Sequence, residues 1–152
     1  MNENDIEIRR ATADDVPAVV GLLADDDIGA ARESVDDLTP YRKAFEVIDG
    51  DPSEFLAVAE RHGEVVGTLQ LSLLPGLSRR GALRAQIEGV RVARTARGLG
   101  LGPVLMGWAI EEARRRGCVL VQLTSDKARP DAHRFYDRLG FVATHEGYKL
   151  PL

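Results

Sequence analysis

The sequence predicts an α/β fold with a mixed, twisted sheet of six or seven strands and about four helices. Three observations lead there. Short runs of alternating or uninterrupted apolar residues recur from Ile6 to Leu150, as strands do. Stretches of helical period fall between some of them, giving the order β-α-α-β-β-β-α-β-α-β, with a last strand that can split. Hairpins therefore mix with crossover helices, and the strands cannot all run parallel. The 152 residues hold no repeat, low-complexity tract or dividing linker. One domain over residues 1–152 is expected, large enough to bury about two-thirds of its unfolded surface.

Ile6 to Arg10 alternates and reads as the first strand. Thr12 caps a helix from about Asp14 to Leu23, whose acidic first turn suits the positive end of a helix dipole. Asp25 to Asp37 is polar, acidic and turn-like. Leu38 to Ile48 is a second helix, with Pro40 tolerated in its first turn. Phe55 to Arg61 and Glu64 to Leu73 are strands joined by His62-Gly63, a pair suited to a two-residue hairpin turn. Pro75 to Gly81 reads as a loop and Leu83 to Val92 as the next strand. From near Gly100, residues Leu101, Val104, Leu105, Trp108 and Ala109 share one helical face. Arg114-Arg115-Arg116 and then Gly117 mark its end. Val119 to Leu123 is short and apolar except for Gln122, and reads as a strand buried mid-sheet. Pro130 starts a helix that stops at Gly140, and Phe141 to Leu150 closes the sheet.

Composition narrows the function classes. A net charge of −4 argues against a general nucleic-acid binder. No apolar run approaches the roughly 20 residues needed to cross a bilayer. Met1 to Asp5 lacks the basic and apolar regions of a signal peptide. Cys118 stands alone, so no internal disulfide forms, in keeping with a reducing cytoplasm; it reads as plain core. His133 and His145 have no metal-ligand companions at useful spacing and read as structural.

The densest chemical signal is Arg97-Gly98-Leu99-Gly100-Leu101-Gly102. It lies between an apolar strand and a long helix, and three alternating glycines there leave backbone N–H groups uncovered. Those donors and the helix dipole suit a phosphate or pyrophosphate. The dinucleotide fingerprint fails, because Pro103 or Leu105 falls where its third glycine belongs. The lysine of an NTPase P-loop is also missing.

What remains, Arg-x-x-Gly-x-Gly between strand and helix, resembles the acetyl-CoA pyrophosphate loop of the GCN5-related N-acetyltransferase (GNAT) family. Asp131-Ala132-His133-Arg134-Phe135-Tyr136-Asp137-Arg138-Leu139-Gly140-Phe141 resembles that family's A-x-x-(F/L)-Y-x-x-x-G-F segment, in the right order and spacing. The resemblance spans nearly the whole chain and is specific from Ile87 to Phe141. It implies the GNAT fold, acetyl-CoA as acetyl donor, and transfer to a primary amine by direct attack in a ternary complex.

Gly89 breaks a β-branched strand and marks either a bulge or relief of crowding. By the resemblance this strand splays from the next, and Val90 and Val92 offer backbone groups to the pantetheine. The same resemblance puts Arg91 beside the cofactor, Arg97 to Gly102 around its pyrophosphate, and the Tyr136 hydroxyl against its sulfur. A phenol suits that place, because a departing thiolate takes a proton from a nearby donor. The family often has asparagine just before the Ala of its second segment; here Arg129 and Pro130 stand there, and Arg129 is a candidate phosphate contact. Glu88 is either the general base that deprotonates the amine or a salt-bridge partner of Arg84 or Arg91. The carboxylates of Asp25-Asp26-Asp27 are either part of an acceptor site or a solvated loop.

The acceptor is expected to be a small-molecule amine or a protein amine, and an exposed edge strand would permit a homodimer. Two rivals stand beside this reading. One is a non-catalytic acyl-CoA-binding or sensing module; the other is an unrelated nucleotide enzyme sharing only the glycine loop.

Overall fold

Period-two alternation dictates most of the architecture. The computed structural model describes residues 5–152, which fall into two compact units meeting at Gln122 and Leu123. In the first, β1 (Ile6–Arg10), β2 (Glu54–Arg61), β3 (Glu64–Pro75) and β4 (Leu83–Val92) form an antiparallel meander. β5 (Leu120–Leu123), at the boundary of the units, follows β4 in the sheet order β1-β2-β3-β4-β5. Val119 donates its N–H to the Leu83 carbonyl, and the Gln122 side chain bonds to both Arg84 and Gln86. Residue numbers thus rise together along β4 and β5, so these two run parallel and the sheet is mixed.

The β2–β3 turn forms as expected. Arg61 pairs with Glu64, and His62 and Gly63 both take positive φ (+51° and +81°), the geometry that matches strand twist. α1 (Val16–Ala24), α2 (Asp27–Arg32) and α3 (Thr39–Asp49) connect β1 to β2; α4 (Ser78–Gly81) lies between β3 and β4, and α5 (Leu101–Arg115) between β4 and β5. α5 packs on β3 and β4, with Leu101, Leu105, Met106 and Ala109 fully buried. Trp108 meets Phe55 of β2 with ring centroids 5.1 Å apart. The opposite sheet face takes α1 and α3, through Val19, Leu23, Phe45, Leu56 and Val58. In the second unit, α6 (Pro130–Arg138) precedes a segment with no regular structure from residue 141 onward.

Five strands stand where six or seven were expected, and six helices where about four were. Phe141 to Leu150 forms no strand, because its backbone finds no ladder partner among the described residues. α2 arises inside the supposed turn because the Asp26 carboxylate accepts from the Gly29 N–H at 2.5 Å, a good N-cap. α4 is a single turn in the expected loop, with Arg79 and Arg80 in left-handed conformation. Thr12 caps a 3₁₀ turn, Ala13–Asp15, ahead of α1.

Asp15 anchors this corner. Its carboxylate takes the Thr12 N–H at 2.7 Å and the Arg9 guanidinium at 2.7 and 3.0 Å. The Arg9 hydrogen bonds hold the carboxyl below the usual carboxylate range against the opposing effect of burial.

Candidate active site

The distinguishing feature of the sheet is a bulge. The β3–β4 register shifts between Thr68, opposite Arg91, and Gln70, opposite Glu88. Gly89 and Val90 therefore face Leu69 together, and Gly89 has φ +63°. A Cβ built there would sit 3.6 Å from Leu23 Cδ2, an ordinary contact. Conformation rather than crowding demands this glycine, which decides between the two sequence readings.

Glu88, beside the bulge, is exposed and makes no salt bridge among the described residues; Arg84 and Arg91 have other partners. Its cross-strand neighbour Gln70 lines a cleft of about 110 Å³ beneath α1 and α3, with Leu23, Tyr41, Phe45 and Leu56. A row of polar side chains continues along this face. Gln70 Nε2 and Ser72 Oγ donate to Glu54 Oε2 at 3.0 and 2.7 Å; Arg84 donates to Gln122 Oε1, which lies beside Gln86. Sequence reading missed this row. Its signal was the alternation of Thr68, Gln70 and Ser72 in β3 with Arg84, Gln86 and Glu88 in β4.

Beyond the bulge, β4 leads through a 3₁₀ turn, Arg94–Ala96, into the glycine loop. Gly98 and Gly100 take φ +79° and +81°, and no atom lies within 4 Å of a Cβ built on either. Both glycines thus border open space on the side where a side chain would stand. Gly100 caps α5 without a side chain, Leu101 anchors the first turn in the core at 1% exposure, and Pro103 carries no N–H. The uncovered donors at the helix mouth are those of Leu99 to Gly102, a set that fits an anionic group and no metal. Leu99 itself is exposed.

Three arginines border this loop, each tethered. Arg94 Nε meets Asp25 at 3.0 and 3.2 Å, Arg97 approaches the same carboxylate at 3.8 Å, and Arg91 lies 3.6 Å from Asp26. Two of the carboxylates read as acceptor candidates thus serve the α1–α2 corner and its arginines. The carbonyls of Val90 and Val92 accept from Arg91 and Arg97 at 2.8 and 3.3 Å.

In the second unit, Tyr136 lies half-buried on α6, with ring contacts to Phe135 and Phe141 at 5.2 and 6.0 Å. Arg129 occupies the N-cap position of the same helix. His133 Nε2 bonds the Asp126 carbonyl at 2.8 Å, and His145 bonds Thr144, both local structural contacts. Cys118 is half-buried, and burial pushes its thiol up, away from a nucleophile's range. No described helix is long and apolar enough to cross a membrane.

Comparison with known proteins agrees with this architecture. Residues 20–141 match the model of the acetyltransferase (GNAT) family. An aminoalkylphosphonate N-acetyltransferase of Salmonella typhimurium is 33% identical over 139 residues, covering 91% of this chain and 86% of that protein. A glucosamine 6-phosphate N-acetyltransferase of Trypanosoma brucei brucei is 37% identical over 91 residues, 59% of each chain. Among solved structures, one described as a transcriptional regulator from Bacillus halodurans C-125 superposes with a TM-score of 0.93 at 48% identity, covering 97% of this chain and 99% of that one. The chain belongs to the acetyltransferase (GNAT) family and is an acetyl-transferring enzyme.

Proposed function

We propose that residues 1–152 act as one catalytic domain that moves the acetyl group of acetyl-CoA to a primary amine by direct attack. The observation that carries this is the sequence of bulge, tethered arginines and left-handed glycine loop between β4 and α5. The amides of Leu99 to Gly102 hold the donor's pyrophosphate, with Arg91, Arg97 and Arg129 as the cations assigned to it. The opened edge of β4 at Val90 to Val92 takes the pantetheine. Bound acetyl-CoA supplies a thioester carbonyl.

An amine of pKa about 10.4 is neutral in about one molecule in 2,500 at pH 7. Glu88, exposed beside the bulge, removes that proton as the amine nitrogen bonds to the carbonyl carbon. The C–S bond then breaks, and the Tyr136 hydroxyl gives its proton to the thiolate. Two relatives act, by name, on amines that carry a phosphonate or phosphate. The same acceptor class is proposed here, and Arg84 on the polar sheet face supplies a cation for its anionic end.

Calorimetric titration with acetyl-CoA, with NADH and ATP as controls, tests the donor site. Selective, saturable binding is expected, and Gly100→Val, whose branched side chain enters the open space above the loop, abolishes it. Unchanged affinity in a folded Gly100→Val protein would place the pyrophosphate elsewhere.

A further inference from the structure

The two faces of the sheet are filled unequally. Beneath α5, Leu101, Leu105, Met106 and Ala109 are fully buried. Beneath α1 and α3, Leu23, Phe45, Ile48 and Leu56 stay only half-buried around the cleft of about 110 Å³. α1 lies against β3 and β4, and α3 against β2, so the cleft runs between helices and sheet. A close-packed interior leaves no such gap, because every wall of it loses contacts.

The lining of the cleft selects hydrocarbon. Its two side chains with hydrogen-bonding groups are already engaged. The Tyr41 hydroxyl donates to Glu33 Oε1 at 3.2 Å and accepts from the Ser34 N–H at 2.9 Å, while Gln70 Nε2 donates to Glu54. The other walls, Val19 and Ala44 among them, carry apolar side chains with no partner for an anion or an amine. A phosphonate-bearing acceptor therefore belongs on the polar row that ends at Arg84, and the cleft suits an apolar group.

The cleft also begins at the bulge. Leu23 on its wall has Cδ2 3.6 Å from the place where a Cβ of Gly89 would stand. Gln70, on the same wall, faces Glu88 across the strands. A thioester held at the bulge thus has an apolar space beside it.

We propose that this cleft receives the alkyl tail of a short-chain acyl-CoA, so that the enzyme transfers longer straight-chain acyl groups as well as acetyl. The inference rests on the donor reading above, which puts the thioester at the bulge. An apolar cavity of about 150 Å³ admits benzene, and on that scale the cleft holds about four carbons beyond the acetyl pair. Propionyl to hexanoyl groups are the matching donors. The chemistry is that of acetyl transfer. The amine nitrogen bonds to the acyl carbon, the C–S bond breaks, the amine proton passes to Glu88, and CoA leaves as its thiol with the proton from Tyr136.

Calorimetric titration with acetyl-, propionyl-, butyryl-, hexanoyl- and decanoyl-CoA reads the cleft without an acceptor. Each buried methylene should tighten binding about two- to fourfold, with the gain levelling off near hexanoyl. Ala44→Leu, at an exposed position of α3 on the cleft wall, should flatten that dependence and leave acetyl-CoA affinity at the parental value. Ile48→Ala, which enlarges the cleft, should move the plateau to longer tails. With the amine turned over fastest from acetyl-CoA, butyryl-CoA should give the N-butyryl product, identified by its mass. Acetyl-CoA binding with no gain from longer tails would overturn this inference and leave the donor site standing. So would a gain that neither substitution alters, or tight butyryl-CoA binding without butyryl transfer. Absence of acetyl-CoA binding would instead bring down the donor-site reading, and this inference with it.

Discussion

Replacing Gly89 by alanine separates backbone strain from crowding at the bulge. Its φ of +63° lies in the left-handed region, where a Cβ costs about 1–2 kcal/mol. Stiffening of the unfolded chain returns about 0.4–1 kcal/mol of that. The added methyl meets only Leu23 Cδ2 at 3.6 Å, so no clash adds to the cost. A net loss near 1 kcal/mol follows, or about 2–4 °C in melting temperature for a chain of this size. Gly89→Asn decides between causes. Asparagine tolerates left-handed backbone, so strain predicts a smaller loss than for alanine despite the larger side chain. Crowding predicts the reverse order. Urea denaturation of the three proteins reads the difference, and an asparagine variant less stable than the alanine variant refutes the reasoning. Gly63→Ala, at the β2–β3 turn with φ +81° and open space around it, serves as control. It should cost similar stability and leave the KM for acetyl-CoA unchanged, whereas Gly89→Ala raises that KM by distorting β4.

Three further outcomes follow from the site and its supports. Glu88→Gln should lower kcat by about 10²–10⁴-fold near neutral pH, and the deficit should shrink as pH rises toward the amine pKa and the acceptor loses its proton unaided; a pH-independent deficit removes Glu88 as the base. Tyr136→Phe should lower kcat with little change in acetyl-CoA affinity, and equal turnover would show that the hydroxyl donates no proton. Asp15→Asn should destabilise the fold by about 1.5–3 kcal/mol at pH 7, the range for hydrogen bonds to charged groups. Because Arg9 depresses the folded-state pKa of Asp15 below its ordinary 3.8, that stabilisation is present above about this pH and fades below it. Urea midpoints of parent and variant should therefore converge in acid, and a constant gap down to pH 2 would contradict the assigned cause.

Local signals were legible where the local chain decides the outcome. His62-Gly63 specifies its own turn, Gly89 its bulge, and Gly98 and Gly100 the loop that opens α5. Two motifs sufficed for the family, because loop and helix lie at fixed distances along the chain. Tertiary pairings were not legible. The Asp25–Arg94 and Asp26–Arg91 contacts join residues far apart in sequence, and no pattern within either segment announces them. The same holds for the chain from Gln70 and Ser72 to Glu54, although each polar residue stood at a period-two position. The strand expected over Phe141 to Leu150 failed for a related reason. A strand needs a partner as well as a pattern, and its own sequence says nothing of where that partner lies.

The most direct test is CoA release by the purified enzyme with acetyl-CoA and a panel of primary amines, aminoalkylphosphonates and amino-sugar phosphates included. The account predicts saturable release matched mole for mole by acetylated amine, fastest with an acceptor bearing a phosphorus oxyanion. Tight acetyl-CoA binding with no amine raising release above the hydrolysis blank would contradict it.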